Sequence, residues 1–538
     1  MKNTNPIPHL RPKGSATQLI VNGEPFLIIG GELHNSSSSS LDYMQPIWER
    51  LRALHLNTVL AAVTWELTEP EEGVFDFSLV DGMLAAARDH GLKLILLWFG
   101  TWKNGMSNYA PAWVKTDFKR FPRVKIENGR PIEILSTFST ETLAADCRAF
   151  AALMAHLKMV DGEDHTVIMV QVENEVGVLG DSRDRSEAAN HAFDADVPTE
   201  LIDRLLANKA LLGLGLLDRW GASQFKTKGN WEALFGPGAE TDELFMAWHY
   251  ACYIDQVTAA GKAVYPLPMF VNAWLSTLGD KPGAWATGGQ KPGEWPSGGP
   301  LPQTLDLWMA AAPHVDFFAP DIYQPEFETW CQRYRRRGNP LFIPEMDWRE
   351  IGARQVFYAL GEHDALGVSP FGIDSQDPTE TNPFHHSYRV IQQMAPLILA
   401  HQGEDRMIGF MLSQEQPVIT RRLNGYQLEI SLDEGFGQQA RAGSGLLIAS
   451  GPDQFLGAGF GFQVRFRGLA DGPAHIGILA ADEGVVDKGK FVPVRRMNGD
   501  EAGRGYCWRF YDFEPHDGRL FTNDVATHIG RCTVYHYK

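Results

Sequence analysis

From about residue 27 to residue 401 the chain alternates short apolar runs of β type with stretches in which apolar residues recur at helical spacing. The apolar runs span residues 27–33, 58–65, 93–99, 166–172, 268–274, 315–322, 341–346 and 366–373. Most are unbroken, as strands covered on both faces should be. Helical spacing predicts helices over 43–55, 79–90, 140–159, a long stretch within 199–260, 304–312, 327–336, 352–363 and 387–401. Eight strands in strict alternation with eight helices predict an α/β fold, the closed (β/α)8 TIM barrel. An open doubly wound sheet would announce itself by a glycine-rich phosphate loop after an early strand. Here Gly30-Gly31-Glu32-Leu33 runs into His34-Asn35-Ser36 without one.

After about Gln402 the pattern changes to short period-two runs separated by turn residues, at 426–432, 462–466, 506–513 and 533–537. This predicts a smaller C-terminal antiparallel β-sandwich domain over 403–538, following a barrel domain over 1–402. Residues 279–302, dense in Gly, Pro and Trp, follow the fifth strand and read as a long loop over the barrel mouth.

Composition narrows the partners. The net charge of −18 comes from acids spread along the chain, which argues for a neutral substrate and against nucleic acid or an anionic membrane. No apolar stretch approaches the roughly 20 residues needed to span a bilayer, and residues 1–14 lack a signal-peptide core. The chain as written reads as cytoplasmic, and as periplasmic or secreted if a leader has been removed. The five cysteines are far apart, odd in number and form no Cys-x-x-Cys pair, so they read as mostly buried thiols. A homo-oligomer is compatible with the sequence. No cofactor or metal is called for, and the adjacent His385 and His386 read as the start of a helix.

Catalytic groups in such barrels come from the C-terminal ends of the strands. The residues there are Glu32 and His34, Trp65 and Glu66, Trp102 and Asn104, Glu173-Asn174-Glu175, Trp274, Asp321 and Tyr323, Glu345 and Trp348, and Asp374. Two carboxyl groups are what hydrolysis of a glycosidic bond requires, and aromatic rings stack on sugar faces. Most single acids at strand ends cap helices or pair with arginines. Glu175 and Glu345 differ, because each closes a buried strand where an uncompensated carboxylate is costly.

The Asn174-Glu175 pair at the fourth strand and Glu345 at the seventh resemble clan A of the glycoside hydrolases over about residues 20–400. More narrowly, Val21-Asn22-Gly23-Glu24-Pro25-Phe26, the stretch from Asn57 through Trp65-Glu66 to Glu69-Pro70, and Gly73-Val74-Phe75-Asp76-Phe77 resemble the β-galactosidases of family 35, with some likeness to family 42. Gly31-Glu32-Leu33-His34-Asn35 and the run from Trp98 to Gly105 are similar to a bacterial subgroup with a C-terminal β domain. The resemblance implies a retaining exo-acting β-galactosidase working by double displacement, with Glu175 as acid/base and Glu345 as nucleophile. It implies that Asn174 binds the sugar's 2-hydroxyl and Tyr323 donates to Glu345. Glu32, Glu66, Trp102, Asn104, Trp274 and Trp348 complete the expected sugar-binding set. The family's Ala-Glu-Trp string after the third strand is replaced by Gly100-Thr101-Trp102, and Val176 stands where tyrosine is usual. Those departures leave arabinopyranose as a second candidate sugar, and a carbohydrate-binding protein without catalysis as the reading of a different class.

Overall fold

The computed structural model describes residues 6–278, 288–336, 338–435, 438–469, 475–497, 499–512 and 527–537. Eight parallel strands form the centre: β1 (Ile28–Ile29), β2 (Thr58–Thr64), β3 (Lys93–Lys103), β4 (Val167–Asn174), β5 (Met269–Trp274), β6 (Phe317–Asp321), β7 (Ile343–Met346) and β8 (Gly367–Pro370). Strands β2 to β6 pair in sequence order, as do β7, β8 and β1. Parallel bridges from Glu32 to Leu60 and from Ile322 to Met346 join the two arcs and close the barrel. Each strand is followed by a helix on the outside: α1 (Ile47–Ala53), α2 (Ser78–Asp89), α3 (Thr140–Asp161), α4 (Ala239–Val264), α5 (Leu305–Ala311), α6 (Phe327–Tyr334), α7 (Glu350–His363) and α8 (Pro383–His401).

Period-two alternation divides each strand between two apolar cores. Val59, Ala61 and Val63, like Leu94, Leu96 and Trp98, pack outward on the helices. Leu60 and Ala62, like Ile95, Leu97 and Phe99, fill the barrel interior. Leu19 and Val21 share that interior core. They belong to a three-stranded antiparallel sheet (His9–Lys13, Ala16–Val21, Glu24–Phe26) that the sequence pattern did not announce. Three boundaries also shift. The first strand shrinks to Ile28–Ile29 plus the bridge at Glu32, β3 runs on to Lys103, and the helical stretch before β5 divides into several helices ending in α4.

The C-terminal part is antiparallel. A six-stranded sheet has the order Met407–Ser413, Ala442–Gly451, Gln454–Phe460, Ile529–Tyr537, His475–Asp487, Lys490–Met497. A four-stranded sheet has the order Val418–Leu423, Tyr426–Leu432, Phe462–Gly468, Trp508–Phe510. The end of the expected strand over 506–513 lies outside the described residues. Phe410, Leu447 and Phe455 of the larger sheet and Leu428, Ile430, Val464 and Trp508 of the smaller one share a single core. Leu446, Ile448, Leu456 and Phe460 on the larger sheet join the core of the barrel's helical layer instead. The approach to α7 is backbone to backbone: a Cβ added at Gly361 would lie 2.8 Å from Gly409 Cα. A buried ion pair between Arg354 and Asp512, 2.9 Å, crosses from α7 to the β region.

Among the described residues no helix is long and apolar enough to cross a membrane. All five cysteines are free thiols.

Candidate active site

Two residues near the end of β4 leave the usual backbone region. Glu173 has φ 62° and Glu175 φ 47°, left-handed values that cost a non-glycine residue on the order of 1–3 kcal/mol each and recur at functional sites. The turn breaks the strand's alternation. Glu173 is directed toward β3, where its carboxyl accepts the backbone N–H groups of Thr101 (3.0 Å) and Trp102 (2.6 Å). Asn174 is directed toward the nucleophile candidate, donating from Nδ2 to Glu345 Oε1 at 3.2 Å. The backbone N–H of Glu175 is held by Asn272 Oδ1 at 2.9 Å, and Asn272 donates in turn to Asp321 Oδ2 at 2.7 Å.

Glu345, at the end of β7, also receives the Tyr323 hydroxyl on Oε2 at 2.9 Å, and Lys103 Nζ lies 3.8 Å from its Oε1. One carboxylate oxygen from each of Glu175, Asp321 and Glu345 lies within 4.8 Å of the other two. That spacing could hold a cation, and Lys103 already brings a positive charge to it.

Burial is the main force on these groups, and neighbouring charge the second. The Glu175 carboxyl is pushed up to about 8, first by burial and then by Glu345, with Lys103 opposing. Asp321 and Glu32 are held well above the carboxylate range by burial and then by Glu345. Burial pulls the Lys103 ammonium down, but Glu345, Glu175, Glu32 and Asp321 together outweigh it and leave it above its ordinary value. The site therefore combines a carboxyl held protonated near neutral pH with a second carboxyl that accepts from Tyr323 and Asn174 and lies beside an ammonium. Several buried polar atoms in it have no hydrogen-bond partner: both oxygens of Glu32, Asn174 Oδ1, Glu175 Oε2, Asp321 Oδ1 and Trp274 Nε1. Buried polar groups are ordinarily paired, so such a concentration sets this place apart from the rest of the core.

The other expected residues divide. Glu32 joins the carboxyl cluster, and Trp274 closes β5 beside Asp321 of β6, its register partner. Glu66 is half-buried in the first turn of the helix Trp65–Thr68, and Trp348 stands at the surface, 48% exposed. Asn104 occupies a left-handed turn position with φ 53° after β3. Trp102 is corrected. Its ring packs edge-on against Tyr250 and Tyr253 of α4, and its indole N–H donates to Leu135 O at 3.0 Å. It belongs to the packing between barrel and helices and offers no face to a sugar. Asp374 and His34 are also occupied: Asp374 accepts from Ser37 Oγ at 2.6 Å, and His34 Nε2 lies 2.8 Å from Ser375 Oγ. Of the loop at 279–302, residues 279–287 lie outside the described residues. Its Trp295 is buried, donating to Glu243 Oε1 at 2.7 Å.

Lys103 and Asp146 were not anticipated. The pairing of β3 with β4 shifts register between Trp98 and Lys103. Both Thr101 and Trp102 therefore face the helices, and Lys103 faces the interior. Asp146 of α3 accepts from Trp98 Nε1 (2.9 Å) and Thr101 Oγ1 (2.7 Å), and shares a buried carboxyl contact with Glu173. An isolated lysine four residues beyond an apolar run carries no signal in a single sequence.

Comparison with known proteins agrees with the first half of the barrel. Residues 18–209 match the model of the glycosyl hydrolases family 35, and residues 384–509 match a domain of unknown function, DUF5597. A β-galactosidase of Xanthomonas manihotis is 31% identical over 188 residues, 34% of this chain and 27% of its own length. β-Galactosidase 8 of Oryza sativa subsp. japonica is 29% identical over 165 residues, 30% of this chain and 23% of its own. The alignments thus span about a quarter of these relatives. Among solved structures, the β-galactosidase from Rahnella sp. R3 aligns at 15% identity and TM-score 0.46, over 69% of this chain and 57% of that one. The catalytic domain of a β-amylase from Paenibacillus polymyxa aligns at 13% and TM-score 0.46, over 67% and 97%. Over residues 18–209, the segment that supplies β1 to β4 and Glu175, the chain is similar to the glycosyl hydrolases of family 35.

Proposed function

We propose that the protein is a retaining exo-β-galactosidase that removes terminal β-galactosyl residues by double displacement. The observation that carries the reading is the pairing of Glu175 and Glu345: two carboxyl groups with oxygens within 4.8 Å of each other, one held protonated and the other hydrogen-bonded by Asn174 and Tyr323. Carboxyls about 5 Å apart leave no room for a water between nucleophile and sugar and favour a covalent route.

In the first step a Glu345 oxygen attacks the anomeric carbon as the bond to the aglycone oxygen breaks. The Glu175 proton passes to that oxygen, giving a free alcohol and a galactosyl ester on Glu345. In the second step Glu175, now a carboxylate, takes a proton from water as its oxygen attacks the anomeric carbon and releases Glu345. Two inversions give net retention. Tyr323 and Asn174 hold Glu345 in place for attack, Asn174 reads the 2-hydroxyl, and Trp274 and Trp348 offer rings to the sugar and aglycone. Glu32 and Glu66 read remaining hydroxyls, and Asn104 shapes the turn beside them. The partner is a neutral carbohydrate. The two C-terminal sheets with their shared core are read as a sandwich that begins after residue 402 and buttresses α7.

A panel of nitrophenyl glycosides tests the proposal. Release of nitrophenol from the β-galactoside, with the β-anomer of galactose appearing first by proton NMR, is the expected outcome. Cleavage confined to an α-arabinopyranoside moves the glycone. Binding without cleavage of any member sinks the catalytic reading.

A further inference from the structure

Lys103 and Glu32 have bonding capacity that the catalytic steps leave unused. Both are buried side chains at the mouth ends of β3 and β1, and both act electrostatically on Glu345 and on each other. The Lys103 ammonium, with three N–H donors, comes no nearer to Glu345 than 3.8 Å, beyond a hydrogen bond. Neither Glu32 oxygen has a donor from the protein. The nearest carboxyl partner of Glu32 is Glu345, itself an acceptor, so a shared proton satisfies at most one of the two Glu32 oxygens. A buried ammonium short of acceptors and a buried carboxyl short of donors, near enough to act on one another electrostatically, is a costly arrangement unless a third group fills both needs. A hydroxyl does so, since it accepts from an ammonium through a lone pair and donates its own proton to a carboxyl oxygen.

Position limits which hydroxyl this is. Asn174, on β4, engages one oxygen of Glu345 and lies beside Glu175, where the anomeric centre must sit. Asp321 and Asn272, on β6 and β5, occupy the arc between Glu175 and Glu345. Lys103 and Glu32, on β3 and β1, enter from the opposite arc, flanking β2. A sugar ring seated with its anomeric carbon between the two catalytic carboxyls extends its remote edge toward that arc.

We propose that Lys103 and Glu32 are a specificity-determining pair that binds one hydroxyl on the remote edge of the glycone, at C3, C4 or C6. The inference rests on the retaining reading and deepens it. It takes a polar hexose as the glycone and places its discrimination on two residues outside the catalytic pair. Sites built to hydrogen-bond a hydroxyl reject analogues lacking it by factors of roughly 10⁴, because their own buried groups are left unpaired.

The experiment is a substrate-by-variant matrix on the full chain. The nitrophenyl β-galactoside and its 3-deoxy, 4-deoxy and 6-deoxy counterparts are each assayed with the wild type, Lys103→Met, Glu32→Ala, Lys103→Arg and Glu32→Gln. The wild type is expected to lose roughly 100-fold or more in kcat/KM on one deoxy substrate. Lys103→Met and Glu32→Ala should lose a comparable factor on the parent sugar and little further on that deoxy substrate. Glu32→Gln and Lys103→Arg, which retain hydrogen-bonding groups, should recover part of the discrimination. Variants that penalise all deoxy substrates as the wild type does overturn the proposal. So does an unchanged deoxy pattern in the two conservative variants if the Met and Ala variants fail to fold. Trapping the wild type with a 2-deoxy-2-fluoro galactoside, run in parallel, separates the two levels. Labelling of Glu345 with no loss of discrimination overturns the pair alone, and absence of labelling overturns the retaining reading and the pair together.

Discussion

Replacing Glu175 by glutamine should stabilise the fold at alkaline pH while removing the proposed acid catalyst. The Glu175 carboxyl has a folded-state value of about 8 against an ordinary 4.5, the cause being burial and the nearby Glu345. A raised value means that the folded state binds the proton more tightly than the unfolded chain. Stability from this group is therefore fully present below about pH 4.5, declines as pH rises, and is lost above about pH 8. At 1.36 kcal/mol per pH unit the whole difference is about 5 kcal/mol, and it applies without discount because the side chain is fully enclosed. Glutamine imitates the protonated acid in shape and cannot ionise. The difference in unfolding free energy between Glu175→Gln and wild type should thus grow by about 4 kcal/mol between about pH 5 and about pH 8.5. Urea titrations at several pH values measure it, because pH effects from groups remote from Glu175 and its carboxyl neighbours cancel in the difference. Parallel pH dependences for the two proteins would refute the claim that Glu175 is held protonated by its surroundings.

In the proposed mechanism the same protonation sets the activity profile: kcat/KM should fall tenfold per pH unit above about 8, since the assigned role needs protonated Glu175, and a flat profile through that range contradicts that role. Tyr323→Phe removes the hydroxyl that donates to the Glu345 carboxyl, a hydrogen bond worth roughly 0.5–1.5 kcal/mol, so the unfolding free energy should fall by about that much in urea and kcat should fall as Glu345 loses its orienting donor. Glu345→Gln should abolish turnover, whereas Glu175→Ala should still form the intermediate from a dinitrophenyl galactoside and be accelerated by azide; equal, azide-insensitive loss would reverse or remove the assignment. Trp102→Ala should cost about 3–5 kcal/mol of stability, as a buried aromatic does, while Trp348→Ala should alter KM and leave the urea midpoint in place.

Most of the barrel was legible because a parallel sheet leaves a strong trace. Runs such as Leu94 to Phe99 are apolar on both faces, and they became β2 to β8 nearly where the pattern placed them. The short antiparallel sheet over 9–26 was not legible, since three strands of three to six residues with prolines among them resemble any irregular terminus. At the site, Glu175, Glu345, Asn174 and Tyr323 were recognisable as polar residues directly after apolar runs; the structure has Asn174 and Tyr323 donating to Glu345 and places a Glu175 oxygen within 4.8 Å of it. Trp102 and Lys103 show the limit. Strict alternation along β3 would not send Thr101 and Trp102 to the same side, and only the register shift against β4 does so. Backbone departures of this kind, like the left-handed turns at Glu173 and Glu175, depend on partners distant in sequence. The Asp146 and Glu173 carboxyls, 27 residues apart on a helix and a strand, meet only once that packing exists.

The central claim is that Glu345 forms a covalent bond to the sugar, and trapping tests it most directly. Incubation with dinitrophenyl 2-deoxy-2-fluoro-β-galactoside, followed by peptide mass spectrometry, should find one equivalent of fluoro-sugar on the peptide that carries Ile343-Pro344-Glu345-Met346. A label on another carboxylate, or no label from a protein that cleaves the parent galactoside, would contradict the account.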